Sequence, residues 1–512
     1  MNYRLIDLFA GPGGLGEGFA AFNNGETFSI GVSAEMESSA HKTLTLRSLF
    51  RQLKMNGDEK DLQAYYDYCN TNVAPHPEIA LSARWKRAGQ EAQLLELGQS
   101  NDNDYLDEIL KKENLSGERI VVIGGPPCQA YSLMGRAKNL GTVGYVPEDD
   151  KRHYLYKEYL RILDKAKPAA FVMENVKGIL SSRVGGRQVF HDILTDLTDP
   201  SEALGNKSDI RYTIHSLVMP TRFEYGMDPS TINAHDFIVR ADQYGLPQAR
   251  HRVILLGVRE EMKYNGQQLL QPSEKLLVED AIGELPALRS RLSHRDDPVR
   301  WRETVMRLGQ DLANDAAQLE DKNISHWLTK ATASVESMPN LDIGDQRYSK
   351  GSYGHNKTPY TDWVRDDKLD VWLNHQARSH MDSDLGRYLY AAAYAEHYGR
   401  SPKGHAEFLL KGLAPEHANW TTGKFADRFR VQRYGAPSTT VTSHISKDGH
   451  YFIHPDPAQC RSLTAREAAR LQTFPDNYFF QGTRTQQYHQ VGNAVPPLLA
   501  LRIAEVVARC LI

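Results

Sequence analysis

Two short segments of the chain carry residue types able to do covalent chemistry or to hold a cofactor. In the first, Gly124-Gly125-Pro126-Pro127-Cys128-Gln129-Ala130-Tyr131-Ser132 follows the apolar run at 120–123. Cys128 therefore falls at the carboxyl end of a buried strand, where α/β proteins place their ligands, and the prolines before it stiffen the loop and fix the direction of the sulfur. A free cysteine is more often a structural core residue, but the Gly, Pro, Gln and Ser around Cys128 are turn formers rather than core partners, which favours a reactive thiolate. In the second segment, Asp7-Leu8-Phe9-Ala10-Gly11-Pro12-Gly13-Gly14-Leu15-Gly16 sets G-x-G-x-x-G between a strand-like and a helix-like stretch. Glycines there let a ligand approach the backbone and a helix N-terminus. Glu35, at the end of the next strand-like run, could accept hydrogen bonds from both hydroxyls of a ribose. On its own the pattern fits a dinucleotide as well as a nucleoside cofactor.

The elements that position these residues follow from the apolar patterning. Strands are expected at 4–9, 28–33, 120–123, 169–173, 237–241 and 252–258, with helices from 15 and at 154–165, an alternation that predicts a doubly wound α/β domain. Residues 50–117 show no clear strand and look like an insertion; from about 262 to 435 the strand–helix rhythm is lost and a separate, irregular domain is expected. Thr464 followed by Glu467 is a capping-box signature for a helix that Pro475 ends, and 497–511 reads as an apolar helix returning to the first domain. A length of 512 residues fits two domains. Four cysteines without C-x-x-C spacing argue against a disulfide framework or a zinc site, and so for a reducing, cytoplasmic setting. No stretch is long and apolar enough for a membrane span, and the N-terminus leaves no room for a signal peptide. With 61 Lys+Arg against 64 Asp+Glu the net charge is −3, which counts against binding nucleic acid by bulk charge and leaves room for one local positive cleft.

The proline–cysteine loop resembles the catalytic motif of DNA cytosine-5 methyltransferases, and five further segments resemble that family's motifs in order. They are the glycine loop at 7–16, Glu174-Asn175-Val176, Gln248-Ala249-Arg250-His251-Arg252, the block at 461–475, and Gln490-Val491-Gly492-Asn493-Ala494-Val495-Pro496. The resemblance implies a Rossmann-like S-adenosylmethionine-dependent methyltransferase fold, α/β with a mostly parallel sheet. It implies a catalytic domain at 1–262 and an inserted, smaller target-recognition domain at 263–435. A connection with the penultimate block would follow at 436–480, and a segment returning to the catalytic domain at 481–512. It implies Cys128 as nucleophile, Glu174 as its acid–base partner at the base ring, Arg252 on the cytosine O2 and Arg250 in support. S-adenosyl-L-methionine, leaving as S-adenosyl-L-homocysteine, would meet Asp7, Phe9, Ala10, Gly11, Gly13, Gly14, Leu15, Glu35, Met36, Pro126, Asn493, Ala494 and Val495, with Phe9 stacked on adenine. Pro127, Gln129, Ser132, Asn175 and Gln248 would lie along the substrate, and no metal is expected. The family's adenine-contacting aspartate near the third strand is not identified; Asp58, Asp102 and Asp104 are the candidates.

The implied substrate is double-stranded DNA, with the target base flipped out of the stack and a two-domain clamp around it. The loops of the middle region, which carry residues such as Arg347, Tyr348, Lys350, Lys357 and Arg365, are expected to contact DNA as a region rather than through any one of these; the enzyme is expected to be a monomer on DNA, and a cognate restriction endonuclease is the expected functional partner. An RNA (tRNA) methyltransferase on the same domain is the nearest alternative, disfavoured by the large middle region. A dinucleotide-dependent oxidoreductase would give Cys128 and Glu174 no role, and a non-catalytic DNA-binding relative would be expected to lack one of them.

Overall fold

The computed structural model describes residues 2–57, 59–127, 151–184, 186–262, 268–319, 322–351, 353–354, 357–415, 420 and 427–511. They form two compact units, the first made of 1–65, 75–274 and 494–512 and the second of 66–74 and 275–493.

The first unit is built on one sheet. Its strands are β1 (Tyr3–Leu8), β2 (Phe28–Glu35), β3 (Ala92–Leu94), β4 (Ile120–Gly124), β5 (Ala170–Val176), β6 (Tyr212–His215), β7 (Arg222–Phe223), β8 (Ile238–Arg240) and β9 (His251–Arg259). They run in the order β3-β2-β1-β4-β5-β9-β6-β7, with β8 paired to β9. The first five are parallel, and β9 lies antiparallel between β5 and β6. The central strands are buried on both faces, which is why they read as unbroken apolar runs. In β1, Leu5 points to one core and Ile6 and Leu8 to the other; in β4, Val121 and Ile123 oppose Ile120 and Val122; in β9, Ile254 and Leu256 oppose Val253 and Leu255. One face is covered by α1 (Gly14–Ala21) through Leu15 and Phe19 and by the last helix through Leu499, Ile503 and Val507. The other carries Leu106, Leu110, Tyr159, Leu163, Ile193 and Leu197 from the helices between the strands. The strand order turns around between β1 and β4, and a crevice at such a switch point is where an open α/β sheet receives its ligand.

Residues 50–117 are mainly helical, with α2 (Ser38–Asn56) running into the segment and α3 (Ser82–Glu91) and α4 (Ser100–Lys112) inside it. The segment also supplies β3, a strand the sequence does not advertise. Ala92-Gln93-Leu94 is too short to show a pattern, and it becomes a strand because it pairs in register with Ser33, Ala34 and Glu35 at the sheet edge. Residues 237–241 contribute only the three-residue β8, flanked by short 3₁₀ turns.

In the second unit α5 (Pro298–Gln318), α6 (Lys322–Ser337) and α7 (Asp382–Tyr398) gather Trp301, Trp327, Tyr388, Tyr390, Tyr394 and Phe408 into one aromatic core. A hairpin pairs β10 (Gly344–Ser349) with β11 (Val371–Gln376). Helix α8 (Ala465–Leu471) opens with the expected box: Glu467 N–H donates to Thr464 Oγ1 at 3.1 Å, and Thr464 N–H to Glu467 Oε2 at 2.7 Å. Helix α9 (Arg484–Asn493) closes the unit, and α10 (Pro497–Leu511) belongs to the first.

Candidate active site and cofactor cradle

The chain leaves β1 through a tight left-handed turn. Phe9 has φ 58°, Gly11 59° and Gly13 94°. Gly13 tolerates that conformation freely, whereas a left-handed Phe9 carries backbone strain on the order of 1–3 kcal/mol, a cost often found where a ligand is held. The turn is pinned by Ala10 N–H to Ala34 O at 3.0 Å and Gly13 N–H to Ala10 O at 2.9 Å. Glu35, at the end of β2, accepts from Gly11 N–H at 2.8 Å with one oxygen and from Glu37 N–H at 2.7 Å with the other. Burial raises the carboxyl pKa above its ordinary value, against the pull of the Glu37, Gly11 and Met36 N–H groups. Helix α1 starts after Gly13 with no side-chain cap, so its N-terminal end offers positive potential to an anionic end of a ligand. Asp7 lies buried beneath the turn. Burial pushes its pKa up to about 8, with Glu35 adding to the rise and Arg51 and the Gly16 N–H opposing it. Ala10 packs with Leu44 and Ala92, while the Leu15 side chain goes into the core and offers a ligand only its backbone. Met36 is 56% exposed beside Glu35.

A buried ion cluster that the sequence analysis did not bring out braces this turn. Glu17, in the first turn of α1, takes Arg47 Nε at 2.9 Å and Nη2 at 2.5 Å, and Arg51 Nη1 at 3.1 Å. Arg51 Nη2 reaches Glu91 at 2.6 Å, one residue before β3. Helices α1, α2 and α3 are thus tied at one point. Burial opposes the charge on Glu17, but the two guanidiniums hold its pKa down at about 2. The spacing of Arg47 and Arg51, four apart on a helix, was the available sequence signal.

A charged rim forms where β5 and β9 pair. Ile254 faces Glu174 and Arg252 faces Val176, so Glu174 and Arg252 are diagonal neighbours on one face. Arg252 Nε lies 2.8 Å from Glu174 Oε1, both side chains being mostly buried. The other oxygen lies against Gly125, where a Cβ would come within 3.0 Å of it. Arg250 is fully buried, and burial together with Arg252 lowers its pKa to about 9 against the opposing pull of Glu174. Asn175 faces the other way: its Nδ2 donates to Pro126 O at 3.5 Å and its Oδ1 accepts from Val176 N–H at 2.7 Å. Its observed contacts therefore position the loop. Gln248 is fully buried, Pro126 buried and Pro127 half-buried. Cys128, Gln129 and Ser132 lie outside the described residues, as does Asp58. Asp102 Oδ2 accepts from Glu96 N–H at 2.7 Å, just beyond β3. Asn493 is the exposed last residue of α9 in the second unit, whereas Ala494 and Val495 lead into α10 in the first.

Several expected DNA contacts are already engaged within the second unit. Arg347 donates to Tyr68 O, Cys69 O and Asn72 Oδ1, Arg365 pairs with Glu284 at 2.5 Å, and Lys350 donates to Asp366 O and sits 3.7 Å from the centre of the Tyr353 ring. Tyr348 packs its ring on His375, and Lys357 is exposed. The block at 461–475 is structural in its contacts. Arg461 clasps Glu467 at 2.7 and 2.6 Å, Arg466 donates to the carbonyls of Leu373, Pro475 and Tyr478, and Arg470 clasps Asp476 at 2.8 and 2.6 Å. All three guanidiniums are fully buried.

A strained glycine turn at the sheet's switch point, an uncapped helix N-terminus and a carboxylate at the end of β2 suit a nucleoside cofactor with an amino-acid tail. This architecture is that of a Rossmann-like methyltransferase. The model of the C-5 cytosine-specific DNA methylase family matches residues 98–205 and 222–509. The chain is 33% identical to the Type II methyltransferase M.Bpa9945I of Bacillus paralicheniformis over 98% of each chain. It is 26% identical to the Type II methyltransferase M.AgeI of Thalassovita gelatinovora over 98% of this chain and 99% of that one. A prophage-encoded E. coli protein described as a DNA modification methyltransferase shares the fold, with a TM-score of 0.54 at 17% identity over 100% of this chain and 99% of its own. The chain belongs to the C-5 cytosine-specific DNA methylases. It is an S-adenosylmethionine-dependent DNA (cytosine-5)-methyltransferase whose substrate is duplex DNA.

Proposed function

We propose that Cys128 is the nucleophile of this methyl transfer and that Glu174 and Arg252 prepare the target cytosine for it. The observation that carries the reading is the Arg252–Glu174 ion pair at 2.8 Å, with the carboxylate set against Gly125, three residues before Cys128. A flipped base gives the sulfur access to C6. The Cys128 thiolate forms a bond to C6 as the C5=C6 electron pair moves to C5, which makes C5 nucleophilic. Glu174, hydrogen-bonded at N3 and the N4 amino group, stabilises the charge shift, and Arg252 holds O2 while keeping the carboxyl in place. S-adenosylmethionine supplies an electrophilic sulfonium methyl, leaving as S-adenosylhomocysteine. Afterwards a base takes the C5 proton, the C5=C6 pair re-forms and the Cys128 sulfur departs. The glycine turn, Glu35 and the start of α1 would hold the donor, and Phe9 would offer its ring to the adenine. Asn175 acts by fixing the Pro126 carbonyl and hence the cysteine loop.

Residues 263–435 are the proposed target-recognition region, and protection of DNA from a cognate restriction endonuclease is the proposed cellular role. Incubation of unmodified duplex DNA with radiolabelled S-adenosylmethionine tests the chemistry. Label on cytosine from the wild type and none from Cys128→Ala is expected; equal labelling by the variant would overturn the assignment.

A further inference from the structure

Within the second unit, four segments remote in sequence converge on a polar notch. Residues 291–292 pair in parallel with 379–380, Arg291 N–H donating to Arg378 O at 3.1 Å and Ser293 N–H to His380 O at 3.0 Å. The turn at 445–450 and the first residue of α9 complete it, giving a cavity of about 260 Å³ lined among others by Ser293, Arg378, His380, Lys447, His450 and Arg484.

The charges around the notch are unequal. Its two carboxylates are already claimed: Asp384 pairs with Arg387 at 2.8 Å and Asp448 with Arg428 at 3.2 Å. Arg378 donates to the carbonyls of Ile445, Ser446 and Lys447, and Arg484 to that of Ala377 at 2.7 Å. Those contacts fix the direction of the guanidiniums without neutralising them. Among the described residues, neither arginine nor Lys447 has a carboxylate at ion-pair distance. Arg291 stands close by, 4.0 Å from Asp296, a carboxylate that Arg289 already grips at 2.7 and 3.1 Å. Burial lowers the pKa of Arg484, and Arg378 and Arg291 lower it further, the mark of cations crowded together. The floor is a chain of neutral donors and acceptors. Tyr388 hydroxyl lies 2.8 Å from His450 Nδ1 and 3.3 Å from His380 Nδ1, while His380 Nε2 lies 3.2 Å from Ser462 Oγ. In a protein of net charge −3, preoriented guanidiniums without counter-ions lining a cavity are matched by an anion with several acceptor oxygens.

We propose that this notch is a phosphate-binding site, formed by Arg378, Lys447 and Arg484 with Arg291 at its edge, that takes a backbone phosphodiester of the DNA substrate. It contributes affinity and register without reading sequence. The proposal rests on duplex DNA being the substrate, and the test separates the two. DNA binding is measured by fluorescence anisotropy across a salt series, alongside methyl transfer by the wild type. Each phosphate contact steepens the plot of log K against log salt by about 0.9. Lys447→Gln and Arg291→Gln are each expected to flatten that slope by about 1 and to weaken cognate and non-cognate duplexes alike. Lys207→Gln, an exposed charge on the first unit, is expected to leave the slope unchanged and controls for net charge. If the wild type binds and methylates DNA but both notch variants keep its slope, the site is overturned. A loss confined to the cognate duplex would also overturn it. Failure of the wild type to methylate DNA would instead count against the functional reading.

Discussion

At the scale of single residues, the rim predicts a separation between binding and chemistry. Glu174 touches Arg252 and Gly125 and none of the glycine turn's observed contacts. Glu174→Gln is therefore expected to lower single-turnover methyl transfer by roughly 10²–10⁴-fold while leaving S-adenosylmethionine affinity, read by calorimetry, unchanged. Equal losses in both would remove Glu174 from the chemical step. Strand ends and motif order single out Glu174, Arg250 and Arg252 in the sequence, and the structure sets Arg252 against Glu174. Sequence alone does not reach the direction of Asn175, whose side chain goes to Pro126 O, because alternation along a strand is visible in sequence but the partner across it is not. Arg347, Lys350 and Arg365 show the same limit: a basic side chain in a polar stretch reads alike whether it faces solvent or a neighbouring carbonyl.

At the scale of elements, the Glu17–Arg47–Arg51–Glu91 cluster is the brace between the glycine turn and the sheet edge. Arg47→Met leaves a buried carboxylate short of its partner and is expected to cost about 3–5 kcal/mol, measured by urea unfolding. The double variant with Glu17→Gln should recover a large part of that loss; additive losses would deny the pairing. Thr464→Ala removes the cap of α8 and the hydroxyl 3.0 Å from His375 Nδ1, and about 1–2 kcal/mol of destabilisation is expected, with the denaturation midpoint as readout. The box on α8 was readable because Thr464 and Glu467 are neighbours in sequence. Strand β3 was not, since three residues become a strand only by pairing with β2.

At the scale of the whole molecule, buried histidines set the response to acid. Burial lowers the pKa of both His215 and His375 to about 4, with Arg222 adding to the fall at the first and Glu467 opposing it at the second. An unfolded histidine takes its proton near pH 6.5, so as pH falls below that value the unfolded chain gains protons that the folded chain refuses until about pH 4. The contribution of each such histidine is thus full above pH 6.5 and declines across that window, by up to roughly 3 kcal/mol. Buried Asp7, held up at about 8, pulls the other way and gains stability as the pH falls from there. His380 and His454 are held down by burial as well, so the histidines outnumber it: thermal unfolding midpoints at pH 7.5, 6 and 5 should fall in that order, and a flat series would contradict it. The paired carboxylate Glu17, held down at about 2, acts only below this window. Its stabilisation is present above the ordinary carboxylate pKa and fades as the pH approaches 2.

Helix α10 lies so close to α1 that a Cβ on Gly18 would come within 2.2 Å of Pro497 O, and Tyr3 hydroxyl donates to Leu511 O at 3.0 Å. The glycine turn is made before any of the second unit, but the helix that packs on α1 leaves the ribosome only after the last residue of that unit. In the nascent chain α1 therefore waits for this packing partner through the synthesis of the whole second unit.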